Sequence, residues 1–334
     1  MRTIRITGTG SALPGRIVTN KELEQMVETS DEWIRERTGI GERHVSVGET
    51  VVTLASESAR KALEQAGKRA EEIDLILVAT CSPEQYLPCC ACQVQADIGA
   101  VNALAFDVNA ACSGFLFALN TADAYLRTGL AENALIIGSE VLSKLVDWTD
   151  RGSCILFGDG AGAVVVEQCG AESRAVEYGN TFSETEKGMQ NTTAEEKRIP
   201  AGILGRALHS DGTGGGVLQC GARELTTPYA GTSAAKADQN QPTDGREHYI
   251  QMDGQEVYRF ATRRVPQCIE EALSDAGLDV PDIDMFVLHQ ANARIIDAVA
   301  KRLHADREKF PTNLERVGNL SSASIPVLLD ELHK

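Results

Sequence analysis

The sequence predicts a duplicated α/β protein whose halves are related by a pseudo-twofold axis. Three observations carry that prediction. First, Ala62-Leu63-x-x-Ala66-Gly67 followed by Ile73-Asp74-Leu75-Ile76-Leu77-Val78 recurs, without gaps, as Ala272-Leu273-x-x-Ala276-Gly277 followed by Ile283-Asp284-Met285-Phe286-Val287-Leu288, an offset of 210 residues. Second, each copy reads as an amphipathic helix, a short acidic loop and a buried strand, the unit of α/β architectures. Third, the same offset pairs Asn109 with Asn319 and Cys112 with Ser322.

In chain order, the first half spans 1–168, with strands expected near 3–8, 73–79, 103–108, 134–138 and 161–167. Met1 to Thr7 alternates like a strand and lacks the apolar core of a signal peptide. The strand Ala103–Val108 gives way to an apolar helix from Phe115 to Arg127, with Gly129 as its C-cap. Being apolar on every side, that helix is expected to be buried. Gly8-Thr9-Gly10 and Gly158-Asp159-Gly160-Ala161-Gly162 lack the remainder of a dinucleotide or phosphate-loop fingerprint and read as tight backbone packing.

The second half spans 169–334. Ser183 to Arg198 and Thr226 to His248 are polar and turn-rich, hence surface loops. The polar stretch near 172–200 carries no assigned role. By the offset, Lys334 falls inside the counterpart of the helix after Cys112, so the second copy lacks equivalents of the strands at 134–138 and 161–167. Either the sequence is an incomplete copy or the protein is damaged; loss of such strands would expose sheet edges, and the 334-residue chain alone is expected to be poorly active and aggregation-prone.

Bulk properties narrow the function classes. No run approaches the roughly 18 apolar residues of a membrane span, which with the N-terminus predicts a cytoplasmic protein. A net charge of −16 argues against nucleic-acid binding, and an anionic partner would need a local basic patch. Arg35, Arg37 and Arg43, Arg151, and Arg294, Lys301 and Arg302 are the candidates, each by default a solvated charge. Nine cysteines without a secretion signal predict reduced thiols. Cys89-Cys90-Ala91-Cys92 has no second metal-ligand pair and reads as small buried residues, not a metal site.

Three residues carry candidate chemistry. Cys112, in Asn109-Ala110-Ala111-Cys112-Ser113-Gly114-Phe115, heads a helix whose N-terminal dipole favours a thiolate nucleophile. Alone it reads equally as an inert core thiol. His289 ends the strand Met285–Leu288, on the edge where open α/β sheets place chemistry, though a lone histidine there also suits a core role. Asn319, in Val317-Gly318-Asn319-Leu320-Ser321-Ser322-Ala323-Ser324, occupies in the second copy the place of Cys112's segment; it could otherwise cap a helix. A pseudo-twofold axis would bring all three to the centre.

Six ordered motifs then identify a family. They are Thr29-Ser30-Asp31-Glu32-Trp33-Ile34 with Arg37-Thr38-Gly39-Ile40; the Asn109–Phe115 segment; Asp150-Arg151-Gly152; Phe157-Gly158-Asp159-Gly160-Ala161-Gly162; His289-Gln290-Ala291-Asn292; and Gly318-Asn319 with Ser322-Ala323-Ser324-Ile325-Pro326. Over nearly its whole length the chain resembles the β-ketoacyl-acyl-carrier-protein synthase III family, the initiating condensing enzymes of type II fatty acid synthesis. The resemblance implies a thiolase-like, five-layered αβαβα fold. It implies that Cys112 takes the acyl group of acyl-CoA, acetyl-CoA being the expected primer. His289 and Asn319 would then stabilise the enolate formed as malonyl-acyl-carrier protein loses carbon dioxide. Asparagine as the third member fits the initiating branch. Thiolases carry a second cysteine and elongating enzymes a second histidine.

The resemblance also assigns coenzyme A to Thr29, Trp33, Arg37, Arg151 and Asn292, the Trp33 ring and the Arg151 guanidinium sandwiching adenine. Thr29 with Glu32 reads as a capping box as well, and Trp33 as ordinary helix packing. Leu87, Leu142 and Phe157 match the acyl pocket, Leu87 reaching towards a partner in a homodimer. Arg294, Lys301 and Arg302 would dock the acidic carrier protein. No cofactor beyond the coenzyme A thioester and no metal is implied. The triad does not separate this activity from a starter synthase or acyltransferase of secondary metabolism, or from an inactive truncated paralogue.

Overall fold

The computed structural model describes residues 3–169, 173–175, 198–200, 202–221 and 248–334. Its first half comprises β1 (Thr3–Ala12), β2 (Arg16–Thr19), α1 (Asn20–Leu23), α2 (Asp31–Thr38), β3 (Glu42–Val45), α3 (Val51–Ala66), β4 (Leu75–Ala79), α4 (Cys90–Ile98), β5 (Leu104–Val108), α5 (Gly114–Thr128), β6 (Asn133–Val141), α6 (Arg151–Cys154) and β7 (Asp159–Cys169). The helices α7 (Gly254–Ala276), α8 (Ala293–Arg302), α9 (Leu314–Val317) and α10 (Ser324–His333) follow.

Five strands form one mixed sheet in the order β1-β7-β6-β4-β5. The pairs β4–β5 and β4–β6 are parallel, whereas β1–β7 and β6–β7 are antiparallel. Alternation along β4 decides its two faces. Ile76 and Val78 join α3 and α4 in one core cluster, with Leu54, Ala59, Leu135, Ile137 and Val165. Leu75 and Leu77 face α5 with Phe115, Ile136, Val164 and Ile325. Two glycines of β1 let α3 lie against the strand: a Cβ at Gly8 would stand 2.3 Å from the Ala62 carbonyl, and one at Gly10 2.3 Å from that of Ser58. Such contact requires a residue without a side chain.

The duplication is visible in detail. The helices α3 and α7 end at Ala66 and Ala276, each capped by a left-handed glycine, Gly67 at φ 65° and Gly277 at φ 67°. A Cβ at Gly205 would stand 2.1 Å from the Ala272 carbonyl, so the segment around Gly205 crosses α7 as β1 crosses α3. The helix α10, equivalent to α5, packs beside it on the first half's sheet, against β1 and β7.

Three expectations need correction. The segment at 285–288 is in no strand ladder among the described residues; Phe286 N–H bonds the Lys309 carbonyl instead. A strand needs hydrogen-bonding neighbours, and no described strand pairs with this segment. Secondly, α5 is not buried all round. Leu116 is 41% exposed, and the edge strand β5 leaves Leu104 57% exposed. Thirdly, Arg43 is no surface charge: it is fully buried, bonded to the Val18 and Ile155 carbonyls and Asn20 Oδ1, and burial lowers its pKa to about 10. The stretch near 172–200 leaves and returns as an antiparallel pair, Ser173–Ala175 with Arg198–Pro200; its middle, and most of Thr226 to His248, lie outside the described residues.

Candidate active site

Two turns of the same shape face each other beside the sheet. The first, Ala111–Ser113, leads into α5; the second, Ser321–Ala323, leads into α10. Each begins with a non-glycine residue in the left-handed region, Ala111 at φ 46° and Ser321 at φ 47°. Each is preceded by an asparagine whose Oδ1 accepts from that residue's N–H, Asn109 at 3.4 Å and Asn319 at 2.8 Å. A left-handed non-glycine residue costs about 1–3 kcal/mol and persists where its surroundings over-determine it. The two turns are in contact, and a Cβ at Gly114 would lie 3.5 Å from Ser322 Cβ.

This geometry brings Cys112 and Asn319 together. The Ser321 hydroxyl faces the Cys112 thiol, while the Ser321 N–H holds the Asn319 amide. Because Oδ1 is committed to that bond, Nδ2 is the free donor of Asn319. The Asn319 backbone is itself clamped: its N–H bonds the Leu156 carbonyl at 2.9 Å, and its carbonyl accepts from Gly158 N–H at 3.0 Å. Gly158 is required there, since a Cβ would stand 2.4 Å from the Val317 carbonyl.

The electrostatics depart from one expectation. The thiol of Cys112 is pushed up to about 11, chiefly by burial, with the Ser321 hydroxyl acting in the opposite direction. The residue precedes α5 proper, and loss of water around the sulfur outweighs the stabilisation expected from a helix end. His289 has both ring nitrogens buried and without hydrogen-bond partners, and burial lowers its pKa to about 4. The imidazole is therefore neutral at pH 7.

Other predicted residues fall into separate groups. Arg151 lies over Trp33, its Cζ 4.9 Å from the ring centroid, and Arg37 is 6.0 Å from the same ring. The helix α2 carrying Trp33 is capped by Ser30, whose side chain accepts from Trp33 N–H at 3.1 Å, so the box expected from Thr29 and Glu32 does not form. Thr29 Oγ1 is buried without a partner. Asn292 caps α8 through Arg294 N–H and donates to the Arg37 carbonyl at 3.1 Å, tying α2 to α8. Leu142 and Phe157 share one core cluster, whereas Leu87 stands apart at 86% exposure. Arg294, Lys301 and Arg302 are exposed at the two ends of α8, Arg294 lying over Tyr258 at 5.8 Å. Cys90 and Ala91 offer their N–H groups to the Asp107 carboxylate at 2.8 and 2.7 Å, a structural use of the cysteine-rich segment. The eight described cysteines are free thiols.

Sequence reasoning passed over Ser321 and Glu140. A glutamate inside the apolar run Ala134–Leu142 was the available signal. Its side chain is fully buried and bonded to Ser82, Thr80, Cys81 and Ser322.

Comparison with known proteins points in one direction. The family described as 3-Oxoacyl-[acyl-carrier-protein (ACP)] synthase III matches residues 106–182, and its C-terminal counterpart matches residues 273–334. Beta-ketoacyl-[acyl-carrier-protein] synthase III of Clostridium acetobutylicum is 42% identical over 334 residues, which are 100% of this chain and 91% of that protein. The crystal structure of 3-oxoacyl-[acyl-carrier-protein] synthase III from Aquifex aeolicus is similar with a TM-score of 0.81 and 37% identity, covering 99% of this chain and 90% of that one. A priming beta-ketosynthase of a polyketide biosynthetic pathway aligns with a TM-score of 0.79 and 33% identity, covering 99% of this chain and 87% of that one.

Proposed function

The chain belongs to the β-ketoacyl-[acyl-carrier-protein] synthase III family, and from that premise we propose how its residues divide the reaction. The enzyme is an acyltransferase, the initiating condensing enzyme of fatty acid synthesis. Cys112 Sγ attacks the thioester carbonyl of an acyl-CoA, acetyl-CoA in the simplest case. Its proton ends on the departing coenzyme A thiol, so the half-reaction is proton-neutral. An imidazole lowered to about 4 is a poor proton store, so His289 acts as a neutral donor, not a base.

In the second half-reaction the thioester oxygen of malonyl-acyl-carrier protein takes hydrogen bonds from a ring N–H of His289 and from Asn319 Nδ2. Loss of carbon dioxide moves negative charge onto that oxygen, and preorganised neutral donors are worth most where charge develops. The resulting carbanion attacks the acyl-Cys112 carbonyl, whose oxygen is received by the Cys112 N–H. Collapse releases 3-oxoacyl-acyl-carrier protein and the Cys112 thiolate, which takes one proton from solvent to restore the thiol. The observation that carries this reading is His289: two buried ring nitrogens without partners on a neutral imidazole. Such a group is costly unless something binds it.

The remaining assignments follow the same premise. The Arg151–Trp33 pair binds coenzyme A, with Arg151 swinging off the ring to admit adenine, and Thr29, Arg37 and Asn292 frame that entrance. Leu142 and Phe157 wall the acyl pocket. Exposed Leu87, Leu104 and Leu116 support a homodimer that covers the β5 edge and carries Leu87 to the partner. Arg294, Lys301 and Arg302 receive the acidic carrier protein. The division into halves at 168/169 follows the repeat. Among the described residues no helix is long and apolar enough to cross a membrane, and free thiols suit a reducing cytoplasm. The polyketide-priming relative favours a second reading, a starter synthase of secondary metabolism. It differs in primer and pathway, not in the division of labour.

The test is incubation with acetyl-CoA and malonyl-acyl-carrier protein. The expected result is an acetyl mass increment on Cys112, release of carbon dioxide and a 3-oxoacyl product, with the increment and the product lost in Cys112→Ala. Absence of acylation in the intact chain would overturn the proposal. A primer series from acetyl to longer acyl-CoA separates the second reading.

A further inference from the structure

We propose that Glu140 is a neutral carboxylic acid whose hydroxyl donates to Ser322 and thereby positions the turn that carries Asn319. The inference rests on the reading of Asn319 as the enolate donor. Glu140 lies near the end of β6, with no exposed surface. Its Oε2 accepts from Ser82 Oγ at 2.5 Å, Thr80 Oγ1 at 3.2 Å and Cys81 N–H at 3.1 Å, a donor that also lies 3.2 Å from Oε1. Its Oε1 lies 2.8 Å from Ser322 Oγ, which also lies 2.8 Å from the Ala79 carbonyl oxygen.

Counting hydrogens decides the protonation state. A serine hydroxyl has one hydrogen, and a carbonyl and a carboxylate can only accept. If Glu140 were ionised, one of the two 2.8 Å contacts to Ser322 would be oxygen against oxygen with no hydrogen between them. With a hydrogen on Oε1, both contacts are satisfied: Glu140 donates to Ser322, and Ser322 donates to Ala79. The other oxygen keeps its three donors. Burial raises the carboxyl pKa, in the same sense. The titratable groups facing it are the Cys81 thiol, 3.5 Å from each oxygen, and the Cys112 thiol across the turn. No cation pairs with it among the described residues.

The consequence reaches the chemistry through the chain. Ser322 adjoins Ser321, whose N–H orients the Asn319 amide at 2.8 Å. Ser322 is also the repeat's counterpart of Cys112, so a position that carries the nucleophile in one half anchors the other half's turn. A neutral Glu140 spares Cys112 a negative neighbour as its thiolate forms.

The test compares wild type with Glu140→Gln and Glu140→Leu. A glutamine can donate to Ser322 as the acid does, so Glu140→Gln keeps carbon dioxide release within about threefold, while Glu140→Leu loses about tenfold or more with Cys112 acylation retained. The difference infrared spectrum, wild type minus Glu140→Gln at pH 7, shows a protonated-carboxyl stretch above the amide I band. The pH profile of Cys112 alkylation is the same in both proteins. A carboxylate stretch instead, or an alkylation profile moved to lower pH in Glu140→Gln, would overturn the proposal. Both readouts need no turnover, so they stand apart from the role given to Asn319.

Discussion

Gly138→Ala perturbs the site without touching any reacting group. Gly138 lies in β6, beneath the turn Ser321–Ala323. An added Cβ would stand 2.3 Å from the Ser322 carbonyl oxygen and 2.7 Å from its carbonyl carbon. Ordinary contact begins at 3.4 Å, so the turn or the strand must give by about 1 Å. Both atoms are backbone, and no side-chain rotation relieves them. Overpacking of this kind costs about 1–3 kcal/mol of stability. Its larger effect is on alignment: a displacement of about 1 Å at a donor can lower a rate about 10²-fold. Asn319 is bonded to the displaced turn, whereas Cys112 belongs to the other one. Gly138→Ala is therefore expected to lower carbon dioxide release about 10²-fold and to reduce Cys112 acylation far less. Gly48→Ala, where nothing lies within 4 Å of the added carbon, serves as the control. Denaturant unfolding and single-turnover acylation separate stability from alignment. A Gly138→Ala protein with wild-type condensation would refute the reasoning that the turn is held against the sheet.

Three further outcomes follow from charge and burial. His289 has its pKa lowered from 6.5 to about 4, so the unfolded chain binds the extra proton first; stability is full above pH 6.5 and falls as pH drops towards 4, by about 3 kcal/mol at the limit. The unfolding free energy of wild type minus that of His289→Gln should fall by about 3 kcal/mol as pH drops across that window, and parallel curves would contradict the neutral, buried imidazole. Alkylation of Cys112 in the free enzyme should accelerate as pH rises towards about 11, and a rate already at its plateau at pH 7 would contradict the burial effect. Reversing Lys301 and Arg302 to glutamate should raise KM for the carrier protein and weaken its salt dependence while leaving acylation by acetyl-CoA unchanged; an unchanged KM would remove them from the docking surface.

Much of this was legible in the residues. The 210-residue offset foretold matched helix ends at Gly67 and Gly277 and matched turns at Ala111 and Ser321. Strand cores were read closely because continuous apolar runs such as Leu75–Ala79 are buried on both faces. What failed depended on neighbours that local pattern does not contain. Met285–Leu288 has a strand's composition, yet a ladder needs a second chain segment beside it. The helix after Cys112 looked uniformly apolar, and only the fold reveals that Leu116 faces outward. The thiol was expected to be acidified by a helix end, but the sulfur's loss of water is the larger effect. The cap moved from Thr29 to Ser30 because both can accept, and one residue's shift lies within the ambiguity of capping boxes. Glu140 was missed because a single acid in a strand announces neither its five contacts nor its proton.

The separation of acylation from decarboxylation is the central claim, and single-turnover analysis of His289→Ala and Asn319→Asp tests it most directly. Asn319→Asp keeps an oxygen for the 2.8 Å bond from Ser321 N–H while removing the Nδ2 donor. With acetyl-CoA and malonyl-acyl-carrier protein, both variants should carry the acetyl mass increment on Cys112 at near wild-type rates while carbon dioxide release falls about 10²–10³-fold. Loss of acylation in step with decarboxylation, or undiminished carbon dioxide release, would contradict the account.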